Sequence, residues 1–227
     1  APWSTELAVA VGVRGAALGV LAFVLVAGAL SASGLVAPDS PTMALGWATP
    51  VLLLPVVMLC SRRLFAPHVD SSDPLLEGLG VNPPDRSLPS MLVNSLMPMS
   101  VVLLGGVAVR RVLWLTGLEA HFVDVVVEPL IWGGPVGTAL VTLEVVAWAP
   151  LLEEVIFRGV VYATARRHLA PSVAVPVTAL LFGALHLYSL GGFIQVVFTG
   201  VVFAVAYERT RSLAPAIAAH AVGNAVA

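Results

Sequence analysis

The sequence predicts an all-α protein, a polytopic bundle of about seven transmembrane helices, and three observations carry that prediction. The first is composition: 59% of the 227 residues are apolar, 11% are charged and the mean hydropathy is +0.98, whereas soluble domains hold about 45–50% apolar and about 25% charged residues. The second is the recurrence of apolar runs, most of them near the roughly 20 residues that a helix needs to cross a bilayer core about 30 Å thick. The third is that the arginines fall mainly at the ends of those runs. The 11 positive charges are all Arg against 13 acids, a net charge of −2, which excludes a nucleic-acid partner or a polybasic anchor. Cys60 is the single cysteine, so a disulfide framework or a cysteine zinc site within one chain is excluded.

The expected spans are 15–36, 43–60, 90–109, 136–161, 171–190, 192–207 and 213–227. The first is too long for a secretory signal and is followed by further spans, so it reads as a true crossing. Residues 61–89, rich in Pro, Asp and Ser, read as a loop between the second and third spans. The stretch 112–135 is less apolar, with Glu119, His121, Asp124 and Glu128, and suits an interfacial or re-entrant segment. The last run has 15 residues and the chain starts at Ala1 without Met, so both ends are expected to be trimmed. No repeat or second domain is visible.

Short cytoplasmic loops are enriched in Lys and Arg. Arg14, the pair Arg62 and Arg63, the pair Arg166 and Arg167, and Arg209 with Arg211 all fall on one side of the expected bundle. That side is expected to be cytoplasmic, with the N-terminus inside. Arg110 and Arg111 stand against this arrangement on the other side.

Ionisable groups within spans are costly and usually face a bundle interior or a wet cavity. The run 150–159 places Glu153, Glu154 and Arg158 in one span. Glu154 and Arg158 are i,i+4 neighbours that can form a structural ion pair, while Glu153 is turned about 100° away and is left as the free carboxylate. Phe182 and His186 share a face of the next expected span, and His220 and Asn224 share a face of the last one. Each pair alone says little. Together they offer a carboxylate, two imidazoles and an amide inside apolar helices, an active site within the bundle.

Glu153 lies 16 residues before Leu169 and His186 lies 17 after it, so antiparallel helices would bring both to one level about 24 Å from that turn. His220, nine residues past Arg211, is expected shallower, at about 13 Å. This depth places the site toward the extracytoplasmic side. A carboxylate and a neutral imidazole can take a proton from water, and a second imidazole with an amide can donate to a developing oxyanion. That is the equipment of peptide-bond hydrolysis. No Gly-x-Ser-x-Gly signals a covalent nucleophile. No cofactor is expected; the alternative is one zinc ion on Glu153, His186 and His220, although the His-Glu-x-x-His helix is absent.

The motifs Glu-Glu-x-x-x-Arg, Phe-x-x-x-His and His-x-x-x-Asn, here Glu153-Glu154 with Arg158, Phe182 with His186, and His220 with Asn224, resemble those of the CPBP intramembrane proteases, also called the Abi or CAAX-protease family. The resemblance covers roughly 136–227 and implies a catalytic helical core there, with 1–135 supplying further spans and loops of one integral membrane domain. It implies a glutamate-type endopeptidase in which Glu153 and His186 activate water, His220 and Asn224 stabilise the oxyanion, and Glu154, Arg158 and Phe182 support the site. The substrate would be a membrane-associated protein or peptide, cut near a membrane-embedded or C-terminal tail, as in protein sorting. The expected location is a multi-pass position in a prokaryotic inner or plasma membrane. The rival expectations are a non-catalytic member serving bacteriocin immunity or as a scaffold, and a proton-coupled transporter with Glu153 and His186 as a relay.

Overall fold

The computed structural model describes residues 4–33, 88–120, 135–186 and 188–226. The expected span 43–60, residues 61–87 of the expected loop 61–89 and most of the interfacial segment, 121–134, lie outside the described residues, and residues 88 and 89 of that loop are helical. All regular structure among the described residues is helical. In chain order the elements are α1 (Thr5–Ser33), α2 (Leu88–Leu115), α3 (Pro135–Leu143), π1 (Glu144–Trp148), α4 (Ala149–Glu154), π2 (Val155–Tyr162), α5 (Ala163–Ala165), α6 (Pro171–Ala184), α7 (Leu190–Thr210) and α8 (Ala214–Val226). Elements α3 to α5 run end to end as one helical rod over 135–165, interrupted by two wide π turns.

Helices Leu92–Leu115 and Leu190–Thr210 are long and apolar enough to cross a membrane. The expected span 171–190 departs from a single helix. Pro171 starts α6 after the extended Ala170, as a proline at the first helical turn should, but α6 stops at Ala184. Ser189 then opens α7 as its N-cap, its hydroxyl accepting from Gly192 N at 3.2 Å. His186 therefore sits in the connection between two helices and not inside a span.

Helices gain little hydrophobic drive for packing against each other in lipid, so close approach and interhelical polar bonds must hold such a bundle. Both are present. Gly200 of α7 abuts α6, where an added Cβ would stand 3.2 Å from the Phe182 ring and 3.3 Å from Ala179. Gly223 of α8 faces Val102 of α2. The N-terminal part of α1 packs through Ala8 and Val11 into a cluster with Tyr162, Ala174, Ala204, Tyr207 and Leu213.

The two ends of the bundle differ in chemistry. At one end the Glu208 carboxylate accepts from Tyr162 Oη at 2.9 Å, from Arg166 at 3.2 Å and from Arg211 at 3.0 Å. Thr5 of α1 is bonded there to His168 at 3.0 Å. At the other end Ser189 donates to the Glu119 carbonyl at 3.2 Å, and Gly191 touches the same backbone so closely that any Cβ would collide with it. Arg166, Arg211 and the start of α1 thus share one end, and the chain that follows α2 lies at the opposite one.

Candidate active site

Glu153 and Glu154 are the last two residues of α4, immediately before the wide turn π2. Neighbours in sequence, they meet opposite environments: the Glu154 side chain is 0% exposed and that of Glu153 is 29% exposed. Arg158, one turn on and 2% exposed, donates from Nη1 to Glu154 Oε1 at 2.8 Å. Its Nη2 reaches across to the Gly200 carbonyl of α7 at 2.9 Å. The guanidinium also lies 4.6 Å from the centre of the Phe182 ring and 5.1 Å from that of Phe203. A buried cation in a bilayer needs such neutralisation on every side.

The same Glu154 oxygen holds His220. Nδ1 of His220 lies 2.9 Å from Glu154 Oε1, and a carboxylate can only accept, so Nδ1 carries the proton. His186 is fixed by the same logic through its own helix: its Nδ1 lies 2.7 Å from the Phe182 carbonyl and donates to it. Both rings therefore direct Nε2 elsewhere, and both converge on Glu153. Oε2 of Glu153 is 3.6 Å from His186 Nε2 and 3.8 Å from His220 Nε2. It has no hydrogen-bond partner among the described residues. Two imidazole nitrogens and a carboxylate oxygen thus face one another just beyond direct bonding distance. Among the described residues no group of three or more His, Cys, Asp or Glu side chains is arranged to hold a metal ion.

His220 is not the shallow residue that counting from Arg211 predicts. The turn after α7 has Arg211 in the left-handed region at φ 55° and is buried at Ser212 and Leu213, 1% and 0% exposed. Nε2 of His220 comes within 3.8 Å of Glu153 Oε2, so the two side chains meet at one level. Asn224 takes a different direction. Its Nδ2 donates to the Val145 carbonyl in π1 at 2.8 Å, and it makes no hydrogen bond to Glu153, His186 or His220. In the wide turn the Ala149 N–H goes to the Glu144 carbonyl, and Pro150 has no N–H to give, so the Val145 carbonyl is left as an acceptor for α8.

Phe182 lies beneath both imidazoles, 4.6 Å from His186 and 5.9 Å from His220, each edge to face. Two aromatic residues that sequence reading did not single out complete this wall. Phe203 stacks on His220 at 4.7 Å with the planes 19° apart, and Phe157 meets Phe182 edge-on at 4.8 Å. Gly200 and Phe203, one turn apart on α7, meet Arg158 and His220 respectively, a face that becomes readable only once α7 is docked. The site as a whole lies toward the end of the bundle that carries Ser189 and Glu119, away from Arg166 and Arg211.

Comparison with known proteins gives one family. Residues 135–226 match the family model described as Rce1-like, type II CAAX prenyl endopeptidase Rce1-like. That segment contains every residue of the site just described. No curated protein and no solved structure matches the chain.

Proposed function

From the match of residues 135–226 to the Rce1-like, type II CAAX prenyl endopeptidase family model, we propose that this chain is a membrane-embedded protease that hydrolyses a peptide bond near the C-terminal, membrane-anchored tail of a protein substrate. The observation that supports this reading best is the convergence of both Nε2 atoms on Glu153 Oε2, a carboxylate oxygen with no hydrogen-bond partner among the described residues. A water at that point donates one hydrogen to Glu153 and meets the lone pair of His186, so that its oxygen is free to attack a carbonyl carbon. The water oxygen bonds to that carbon, its proton passes through Glu153 to the departing amine nitrogen, and the C–N bond breaks. His220, protonated with Glu154 holding its Nδ1–H, donates from Nε2 to the oxyanion. Asn224, fixed by one N–H to Val145, keeps its second N–H for the same task. Arg158 and Phe182 keep Glu154 and the two rings in place.

In this reading the chain crosses a prokaryotic plasma membrane about seven times. The site opens at the end opposite Arg166 and Arg211, the extracytoplasmic end by the positive-inside rule. No metal takes part. The test uses purified protein in detergent with two internally quenched peptides, one ending in a farnesylated cysteine followed by three residues and one ending in an unprenylated apolar tail. Wild type cleaves at least one of them. Glu153→Gln, which keeps the shape and removes the proton acceptor, lowers kcat by about 10²–10⁴. Near wild-type cleavage by a folded Glu153→Gln variant refutes the mechanism. About one zinc per chain, lost together with activity in His186→Ala, replaces it with a metal-assisted one on Glu153, His186 and His220.

A further inference from the structure

Gln195 of α7 is 9% exposed, and its Oε1 is buried without a hydrogen-bond partner among the described residues. In an apolar bundle an unpaired amide is costly, and a leucine would fill the same space without that cost. The opposing helix leaves room for it, since a Cβ on Gly106 of α2 would stand 3.1 Å from Gln195 Nε2. The amide is therefore accommodated by its surroundings, and its oxygen is bonded by none of the described residues.

Helix register places this amide near the level of the site. A Cβ on Gly183 of α6 would meet Val197 at 2.6 Å and Phe193 at 3.2 Å, so Gln195, midway between those two residues, is level with Gly183 but on the opposite face of α7, toward α2. His186 is three residues further, about 4.5 Å along the axis. Val196 packs into the same cluster as Phe182, Phe203 and Val102, and Val102 is the residue against which Gly223, one turn beyond His220, is set. Gln195 and His220 thus border the same seam along α2.

Resting on the protease reading above, we infer that Gln195 is a substrate-positioning residue whose carboxamide pairs with a peptide group of an unwound substrate segment lying along α2 beside the scissile bond. The chemistry is complementary. A substrate must leave its helix to be cut, and each peptide group so released in apolar surroundings needs one acceptor and one donor. A glutamine amide offers both on one planar group.

The test measures binding of the farnesylated peptide to full-length protein in detergent by fluorescence anisotropy, with Glu153→Gln present so that the peptide stays intact. Adding Gln195→Leu weakens Kd about tenfold, a loss of the size expected for pairing a buried amide, and leaves the thermal midpoint unchanged or higher. A peptide in which an ester replaces the paired amide N–H shrinks that loss to about twofold or less. With Glu153 intact, Gln195→Leu raises KM about tenfold and leaves kcat within about twofold. Unchanged Kd and KM, or a loss that follows a lowered thermal midpoint, overturns the inference. If the peptide binds in a Gln195-dependent way and wild type cuts neither peptide, the proposed hydrolysis falls and the positioning role stands. If no peptide binds, both fall.

Discussion

Replacing Glu154 by Gln removes the negative charge from a side chain that is 0% exposed and leaves Arg158, 2% exposed, with no counterion at its 2.8 Å contact. Two bonds to the same oxygen change together, because His220 Nδ1 is held there at 2.9 Å. Each goes from charge-assisted to neutral, a loss of about 1–1.5 kcal/mol apiece. The stranded guanidinium adds to this, since breaking one side of a buried pair costs about 3–5 kcal/mol in all. The Gly200 carbonyl remains as a partner but carries no charge. Taking about 2–4 °C per kcal/mol for a chain of this size, Glu154→Gln should unfold on the order of 10 °C below wild type. Glu153→Gln is the internal control. Glu153 is 29% exposed and its imidazole neighbours stand at 3.6 and 3.8 Å, so its midpoint should stay within about 1 kcal/mol of wild type. Intrinsic tryptophan fluorescence against temperature, in one detergent for all three proteins, reads the difference. Equal shifts in the two Gln variants would refute the assignment of Glu154 to structure and Glu153 to chemistry.

Gly200→Val should destabilise by about 1–3 kcal/mol and lower activity, because the new side chain meets Phe182 and Ala179 where even a Cβ stands at 3.2–3.3 Å; wild-type stability in the same melting assay would mean that α6 and α7 can part without loss. For sidedness, Ser189→Cys in a Cys60→Ser background should be labelled by an impermeant thiol reagent added to intact cells. Labelling only after the cells are opened would reverse the orientation and place the site toward the cytoplasm.

The spacing of the candidate residues was more legible in the sequence than the architecture that brings them together. Glu154 and Arg158 lie one helical turn apart, and the residue count about Leu169 places Glu153 and His186 at one level; both inferences need only the geometry of a single helix or of one antiparallel pair. The counting fails where the chain leaves regular structure. His186 lies past the end of α6, ahead of the new helix that Ser189 caps, and His220 reaches Glu153 across a buried turn at Ser212 and Leu213. Neither event follows from hydropathy. Phe203, the Gly200 carbonyl and Gln195 were invisible for another reason: each acquires its meaning from a residue on a different helix, and the rotation of one helix against another is set by packing that a linear pattern does not record.

The two π turns give the helical rod over 135–165 a property that ordinary helices lack. Each wide turn holds one more residue than an α turn would, and closing it by deletion would swing everything beyond it through about 100°. Val145, which anchors Asn224, lies in the first, and Tyr162, which anchors Glu208, ends the second. The acidic pair stands between them. The number of residues separating these two moorings therefore sets the angular phase of Glu153 against both ends of the bundle, and chain length in this stretch is constrained more tightly than the identity of most side chains along it.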